Sequence, residues 1–324
     1  MGLVHHKQMR KMSMTQTGNW LLVLALPAML LGCVSNPAKE TQENSDPRAY
    51  DGLYDGDERI AHEAGTPSDL PVQELILRGD QAFRKGDIDD ALFEYVKALE
   101  IGGENADLLN KVGGIQTLKG NLPLAEKAYR MSIALAPENA VSHEGLGLIM
   151  LGQHNHKAAG EHLDKAVILD PNRWRPMNGL GLIEDLKGNS AQALEYYNTA
   201  LAIAPKSPQV HNNIGYSHYL AGNWDEALKH FRLALNYEPQ FKRAWQNTGL
   251  VYTRQGNYDA ALTSFQRVMG KPEAYNNVGY FCMMNGEYGK ASVFLQKAID
   301  ASPAYYPKAH DNLEKLKKLK NNSG

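Results

Sequence analysis

The stretch GYSHYLAGNWDEALKHFRLALNYEP runs from Gly215 to Pro239. Its leading glycine is followed twelve residues later by Ala227, then by Phe231 and Ala234, and Pro239 closes it. Ala227, Phe231 and Ala234 are spaced four and three apart, which puts them on one stripe of a helix. A loop glycine, Gly222, separates this segment from the one before, so the stretch reads as two helices joined by a tight turn.

Working outward, the same pattern recurs. Gly79, Gly113, Gly147, Gly181, Gly215 and Gly249 are separated by 34 residues each. With 29 glycines in 324 residues, such a run arises by chance with a probability of roughly 10⁻⁵ before counting trials. Alanine follows each glycine by twelve residues at Ala91, Ala125, Ala159, Ala193, Ala227 and Ala261. Four further on stand Tyr95, Tyr129, Leu163, Tyr197, Phe231 and Phe265. Next come Ala98, Ser132, Ala166, Ala200 and Ala234, with Val268 as the exception, and Pro137, Pro171, Pro205 and Pro239 close four of the units. A seventh unit follows 30 residues after the sixth, with Gly279, Ala291, Leu295, Ala298 and Pro303 in frame.

This pattern resembles the tetratricopeptide repeat. The fold class expected is therefore all-α: a right-handed superhelical solenoid of about seven helix-turn-helix units and a C-terminal capping helix. Small residues let two helices approach, and large ones fill the groove between them. The units fall at 72–105, 106–139, 140–173, 174–207, 208–241, 242–271 and 272–305, with the capping helix and tail at 306–324. KAHDNLEKLKKLK, Lys308 to Lys320, reads as amphipathic with a basic outer side. Departures from the frame are Gly103 in place of proline, His154 in place of the loop glycine, and the short junction from Val268 to Tyr275, where a tighter turn is expected.

Composition adds little. Lys+Arg number 34 and Asp+Glu 36, for a net charge of -2, so nothing global argues for nucleic acid. Two cysteines make no disulfide framework.

The beginning of the chain reads as a targeting segment. Lys7, Arg10 and Lys11 precede an apolar run from Trp20 to Leu31, too short to span a bilayer. Leu30-Leu31-Gly32-Cys33 then resembles the bacterial lipobox, which implies a lipoprotein signal peptide at 1–32 and lipid attachment at Cys33. Leu31 is bulkier than usual there. A secretory signal with a chance cysteine, or an uncleaved anchor, are the alternatives, and Met9, Met12 and Met14 are alternative starts. Val34, rather than aspartate, follows the cysteine, and by the same resemblance the destination is the periplasmic face of the outer membrane. Residues 33–71 read as the lipidated end and an acidic, disordered tether: nine acidic residues stand against Lys39, Arg48 and Arg59. Tyr50, Leu53 and Tyr54 there are read as stray aromatic and aliphatic residues, with a docking segment as the alternative.

The groove of such a solenoid is lined mainly by the first helix of each unit. Asn213, Asn247 and Asn277 occupy equivalent places there, with Asn212, Gln246 and Asn276 beside them. A ladder of amides can pair with an extended peptide backbone; repeat framework is the alternative. Tyr216, Tyr219, Arg243, Arg254, Tyr280 and Met283 are expected on the same face, where some instead pack between repeats. His143, His154, His156 and His162 match no metal-ligand spacing, so no metal and no cofactor beyond the lipid is expected. Cys282 is expected as a buried free thiol. No phosphate loop, nucleophile elbow or zinc-helix motif is present, so no catalytic residue is assigned.

The combination of lipobox, acidic tether and repeat array resembles the tetratricopeptide lipoproteins of pilus assembly. The segment from Glu273 to Leu316 is similar to the C-terminal part of the TadD family of the tight-adherence (Flp) pilus system, related to the PilF and PilW pilotins. That resemblance implies a pilotin-like scaffold whose protein partner is an outer-membrane secretin subunit. The alternative is an envelope adaptor, NlpI-like, that presents peptidoglycan enzymes or proteases to substrates.

Overall fold

The computed structural model describes Tyr50, Leu53 and residues 70–321. The expected signal peptide and the expected lipid-attachment residue Cys33 lie outside the described residues. Among the described residues fifteen helices follow one another, the first fourteen in antiparallel pairs. They are α1 (Val72–Lys85), α2 (Ile88–Gly102), α3 (Ala106–Lys119), α4 (Leu122–Leu135), α5 (Ala140–Gly152), α6 (His156–Leu169), α7 (Trp174–Leu186) and α8 (Ser190–Ile203). The array continues with α9 (Pro208–Leu220), α10 (Trp224–Tyr237), α11 (Lys242–Arg254), α12 (Tyr258–Gln266), α13 (Lys271–Met284), α14 (Tyr288–Asp300) and α15 (Pro307–Asn321). Seven pairs and one closing helix make up the all-α repeat array that the 34-residue spacing predicts.

The framework residues explain why the helices pair as they do. A Cβ placed on Gly181 would lie 2.5 Å from Tyr197 Cε1, so only glycine admits the ring. Gly113 stands in the same relation to Tyr129, Gly147 to Leu163, Gly215 to Phe231, Gly249 to Phe265 and Gly279 to Leu295. Ala193, Ala200 and Tyr197 are all fully buried at this contact, as are their counterparts Ala227, Ala234 and Phe231. Side-chain caps on the backbone N–H groups set several helix starts: Asn105, Asn139, Asn155, Ser207 and Asn257 each accept from the first turn that follows.

The three departures have structural reasons. His154 adopts the left-handed turn conformation, φ 64°, that glycine holds at the matching turns of the other units. The junction after unit 6 is tight because α12 stops early: it has 9 residues, against 14 in α10. Val268 then lies outside the helix, which removes the need for a small residue there. At the end, α15 packs on α14 and α13 through Ala309 and Leu316, with its lysines outward.

One expectation is corrected. Tyr50 and Leu53 are not stray residues of the tether: they form a turn, Leu53 N–H donating to the Tyr50 carbonyl at 2.8 Å, and both are buried against the first two units. Gln116 Nε2 donates to the Leu53 carbonyl at 2.5 Å. Burial of one leucine and one tyrosine suffices to hold a turn whose other residues are polar.

Two substitutions test this account. Gly181→Ala forces a methyl against a ring with no room to move, and is expected to cost about 1–3 kcal/mol. His154→Gly relieves a left-handed L-residue and is expected to gain about 1 kcal/mol. Denaturant unfolding should move the midpoint down in the first and up in the second; a shift of the wrong sign in either refutes the assignment.

Candidate functional site

The first helices of successive pairs, α1, α3, α5, α7, α9, α11 and α13, lie next to one another and present one shared face. The amides expected to meet a peptide are placed there, but they bond to each other. Asn213 Nδ2 donates to Asn178 Oδ1 at 3.0 Å, and Asn247 Nδ2 donates to Asn212 Oδ1 at 2.9 Å. Both bonds join a residue to the one 35 earlier, so the ladder runs from repeat to repeat. Asn312 of α15 continues it by donating to Asn276 Oδ1 at 2.9 Å. Asn277 is diverted by the short unit and donates to Met269 Sδ. Asn212 and Asn276 are buried. The ladder of asparagines thus ties unit to unit, and Asn212 also spends a donor on Asn213 Oδ1 at 3.3 Å.

The other expected residues divide into two sets. Tyr219 and Met283 are buried between units, while Arg254 Nε donates to Tyr219 Oη at 3.1 Å. Tyr216 stacks on Tyr219 with 5.7 Å between ring centroids, and burial pushes its hydroxyl up to about 12. Tyr280 is half-buried against Phe281. Arg243 and Gln246 are exposed on α11 and remain available to a partner.

A second part of the face went unrecognised in the sequence. Between α1 and α3 a cavity of about 360 Å³ is lined by Asp80, Phe83, Arg84, Tyr95, Lys111, Gly114, Ile115 and Leu118. Leu118 is 67% exposed, and Leu77 and Phe83 beside it are also exposed. Asp80 accepts from Tyr95 Oη at 2.6 Å and is paired with Lys111, which fixes a charged rim on an apolar floor. Exposed large apolar side chains at α1 positions 77 and 83 and at α3 position 118 are the signal that an asparagine search passes over.

The four histidines of unit 3 form two pairs: His154 and His156 meet edge to face along the turn, 6.0 Å between centroids, and His143 meets His162 across helices. His143 Nε2 lies 3.1 Å from the Pro137 carbonyl and its Nδ1 lies 2.9 Å from His162 Nδ1. A carbonyl only accepts, so Nε2 carries the proton and His162 donates to the free Nδ1. Unit 5 repeats the arrangement with His211, His230 and the Pro205 carbonyl, and Trp245 Nε1–H donates to Pro239 in unit 6. Burial, reinforced by His211 and His218, lowers His230 to about 4. Among the described residues no group of three or more His, Cys, Asp or Glu converges as a metal site. Cys282 is a fully buried free thiol, pushed up to about 11 chiefly by burial.

Asp185, at the end of α7, is one of three buried carboxyls on the first helices among the described residues, with Glu144 and Glu184. It accepts from Tyr197 Oη of α8 at 2.9 Å and from Ser217 Oγ of α9 at 2.8 Å, tying three helices together.

The repeat family matches the chain directly. Tetratricopeptide repeat models match residues 76–140, 142–208 and 212–270, and a further one matches 272–305. The chain belongs to the tetratricopeptide repeat family, whose arrays bind protein partners and are typically non-enzymatic. No curated protein matches it. Among solved structures, a tetratricopeptide repeat protein from Parabacteroides merdae is similar at 19% identity and a TM-score of 0.54, over 76% of this chain and 98% of that one. PilF from Pseudomonas aeruginosa is similar at 23% identity and a TM-score of 0.50, over 60% of this chain and 88% of that one. The Cut9–Hcn1 assembly of the APC/C is similar at 19% identity and a TM-score of 0.53, over 75% and 55%. At these identities the likeness is one of fold.

Asp185 supplies a pH test. Burial pushes its carboxyl up to about 6, against hydrogen bonds from Ser217, Tyr197 and Ser190 that pull it down. A folded value above the unfolded one means the folded state binds the proton more tightly. The resulting stability is full below about pH 4 and lost as the pH rises through 6. Asp185→Asn keeps an acceptor for the Tyr197 and Ser217 hydroxyls and cannot ionise, so its melting temperature should gain on wild type by several degrees between about pH 4.5 and pH 7.5. An equal gap at both values refutes the assignment.

Proposed function

We propose that this chain is an outer-membrane-anchored periplasmic scaffold, a pilotin-like factor that holds an unassembled secretin subunit in tight-adherence pilus assembly. The observation that carries the binding role is the face of the first helices, where an apolar hollow at α1–α3 and the exposed Arg243 and Gln246 of α11 lie on one side of the array. The lipobox at Leu30-Leu31-Gly32-Cys33, the acidic segment after it and the resemblance of Glu273–Leu316 to TadD support the more specific reading.

The mechanism is one of localisation. The face holds an exposed segment of the subunit, and the acyl anchor on Cys33 keeps the complex at the membrane where assembly occurs. Tethering raises effective concentration without any new contact. No chemical step is required of the chain.

Two variants test the reading. Cys33→Ser should move the protein from membranes to the soluble periplasmic fraction with its helical circular dichroism unchanged; membrane retention refutes the anchor. The double variant Leu118→Asp, Arg243→Glu changes only exposed side chains. A crosslinked pull-down from native membranes should recover a secretin subunit with wild type and lose it with this variant. Recovery of peptidoglycan enzymes without secretin would replace the pilotin reading with the adaptor one.

A further inference from the structure

At the joint between units 5 and 6 a lateral hollow is bounded by the second helix of one unit and both helices of the next, and the same place can be followed through the other joints. The residue fifteen after the framework glycine decides whether it is filled. In units 3 and 5 that residue is His162 or His230, paired with His143 or His211. In unit 4 it is Tyr196, and in unit 7 it is Phe294, which packs on Tyr258 and Tyr275. Units 2 and 6 instead carry the small residues Ala128 and Ser264.

At unit 2 the hollow is occupied by the chain itself. Leu53 sits there, held through its carbonyl by Gln116, and with Tyr50 it joins the cluster containing Leu92, Val96 and Leu99. These three are buried, whereas their counterparts in every other unit are half-buried or exposed. At unit 6 the equivalent hollow is an open cavity of about 500 Å³. Trp245 stands for Leu109, Tyr252 for Gln116, Ser264 for Ala128, Leu228 for Leu92 and Leu235 for Leu99. The informative change is Arg232, which stands where unit 1 has Val96.

Arg232 is exposed, and Arg267 lies over the Trp245 ring, 5.5 Å from its centroid. Neither takes part in an ion pair among the described residues. An apolar hollow rimmed by two such cations suits an aliphatic plug flanked by carboxylates. The chain's own segment has that composition: Asp51 stands between Tyr50 and Leu53, and Asp55, Asp57 and Glu58 follow them.

We propose that the hollow between units 5 and 6 is a docking site, separate from the face of the first helices. It takes a short acidic turn of a protein partner, whose aliphatic side chain enters beside Trp245 while its carboxylates meet Arg232 and Arg267. Specificity follows from the repeat itself, since only two units have the small residue that leaves room, and one of those is filled in cis.

The probe is a synthetic peptide of residues 46–60 of this chain, titrated into the purified full chain with tryptophan emission as the signal. The cis turn at unit 2 is favoured by its high effective concentration, so the added peptide meets the open hollow. Binding is expected at a dissociation constant of roughly 10–100 μM. Ser264→Phe gives unit 6 the plug that unit 7 carries, and Arg232→Glu changes only an exposed charge. Each should weaken binding about tenfold or more, and a peptide carrying Leu53→Asp should not bind. No binding to wild type, or undiminished binding to both variants, overturns the proposal. Self-association of wild type that Ser264→Phe abolishes also overturns it, by assigning the hollow to a second copy.

Discussion

A bulky side chain on the second helix of each unit rests directly against a glycine on the first, and the array depends on that contact. At Gly181 the Tyr197 ring lies so close to the glycine backbone that a single methyl cannot be inserted. Close approach brings the flanking alanines into full burial, and those burials set the angle at which the next pair arrives. Because each unit touches little beyond its neighbours, an interior is built step by step rather than around one centre. Everything that distinguishes one unit from another is therefore free to vary on the surfaces the contact leaves over.

Two such surfaces remain. On the face of the first helices, amides tie repeat to repeat, and Asp185 does the same through hydroxyls of two neighbours. These ties consume polar groups that the sequence presents as a binding ladder. What stays open is apolar and charged: the hollow by Leu118 at one end, Arg243 and Gln246 toward the other. On the lateral side, a single position per unit decides between a closed joint and a cavity.

The fold was legible because its constraint is local and periodic: a glycine and a large residue sixteen apart, seven times, admit few alternatives. The left-handed turn at His154 was visible as a missing glycine, and the short sixth unit as a missing stretch. The site was less legible. Asn212 and Asn213 announce hydrogen bonds but not their partners, because an amide serves a neighbouring amide as well as a peptide. Leu53 is one apolar residue in an acidic run, and composition gives it no weight. Its signal lies elsewhere, in Ala128 where every other unit but the sixth is bulky and in Val96 where the other units are polar. Only the alignment of units in three dimensions brings those positions together.

The shortened α12 bears on how the array comes apart. A linear array of modules has no shared centre to enforce all-or-none behaviour, so its weakest joint divides it into separately cooperative blocks. Of the seven helix pairs, α11 and α12 pack least extensively, because α12, with 9 residues against 14 in α10, offers roughly one and a half turns fewer to its partner. Local opening is thus cheapest in the sixth unit, leaving the five units before it and the closing helices behind it as two blocks. The open lateral hollow borders this seam, with walls on α10 of the block before and on α11 and α12 of the sixth unit. An occupant of the proposed site would splint the sixth unit to the five before it, so that the array's stiffness there becomes a function of who is bound.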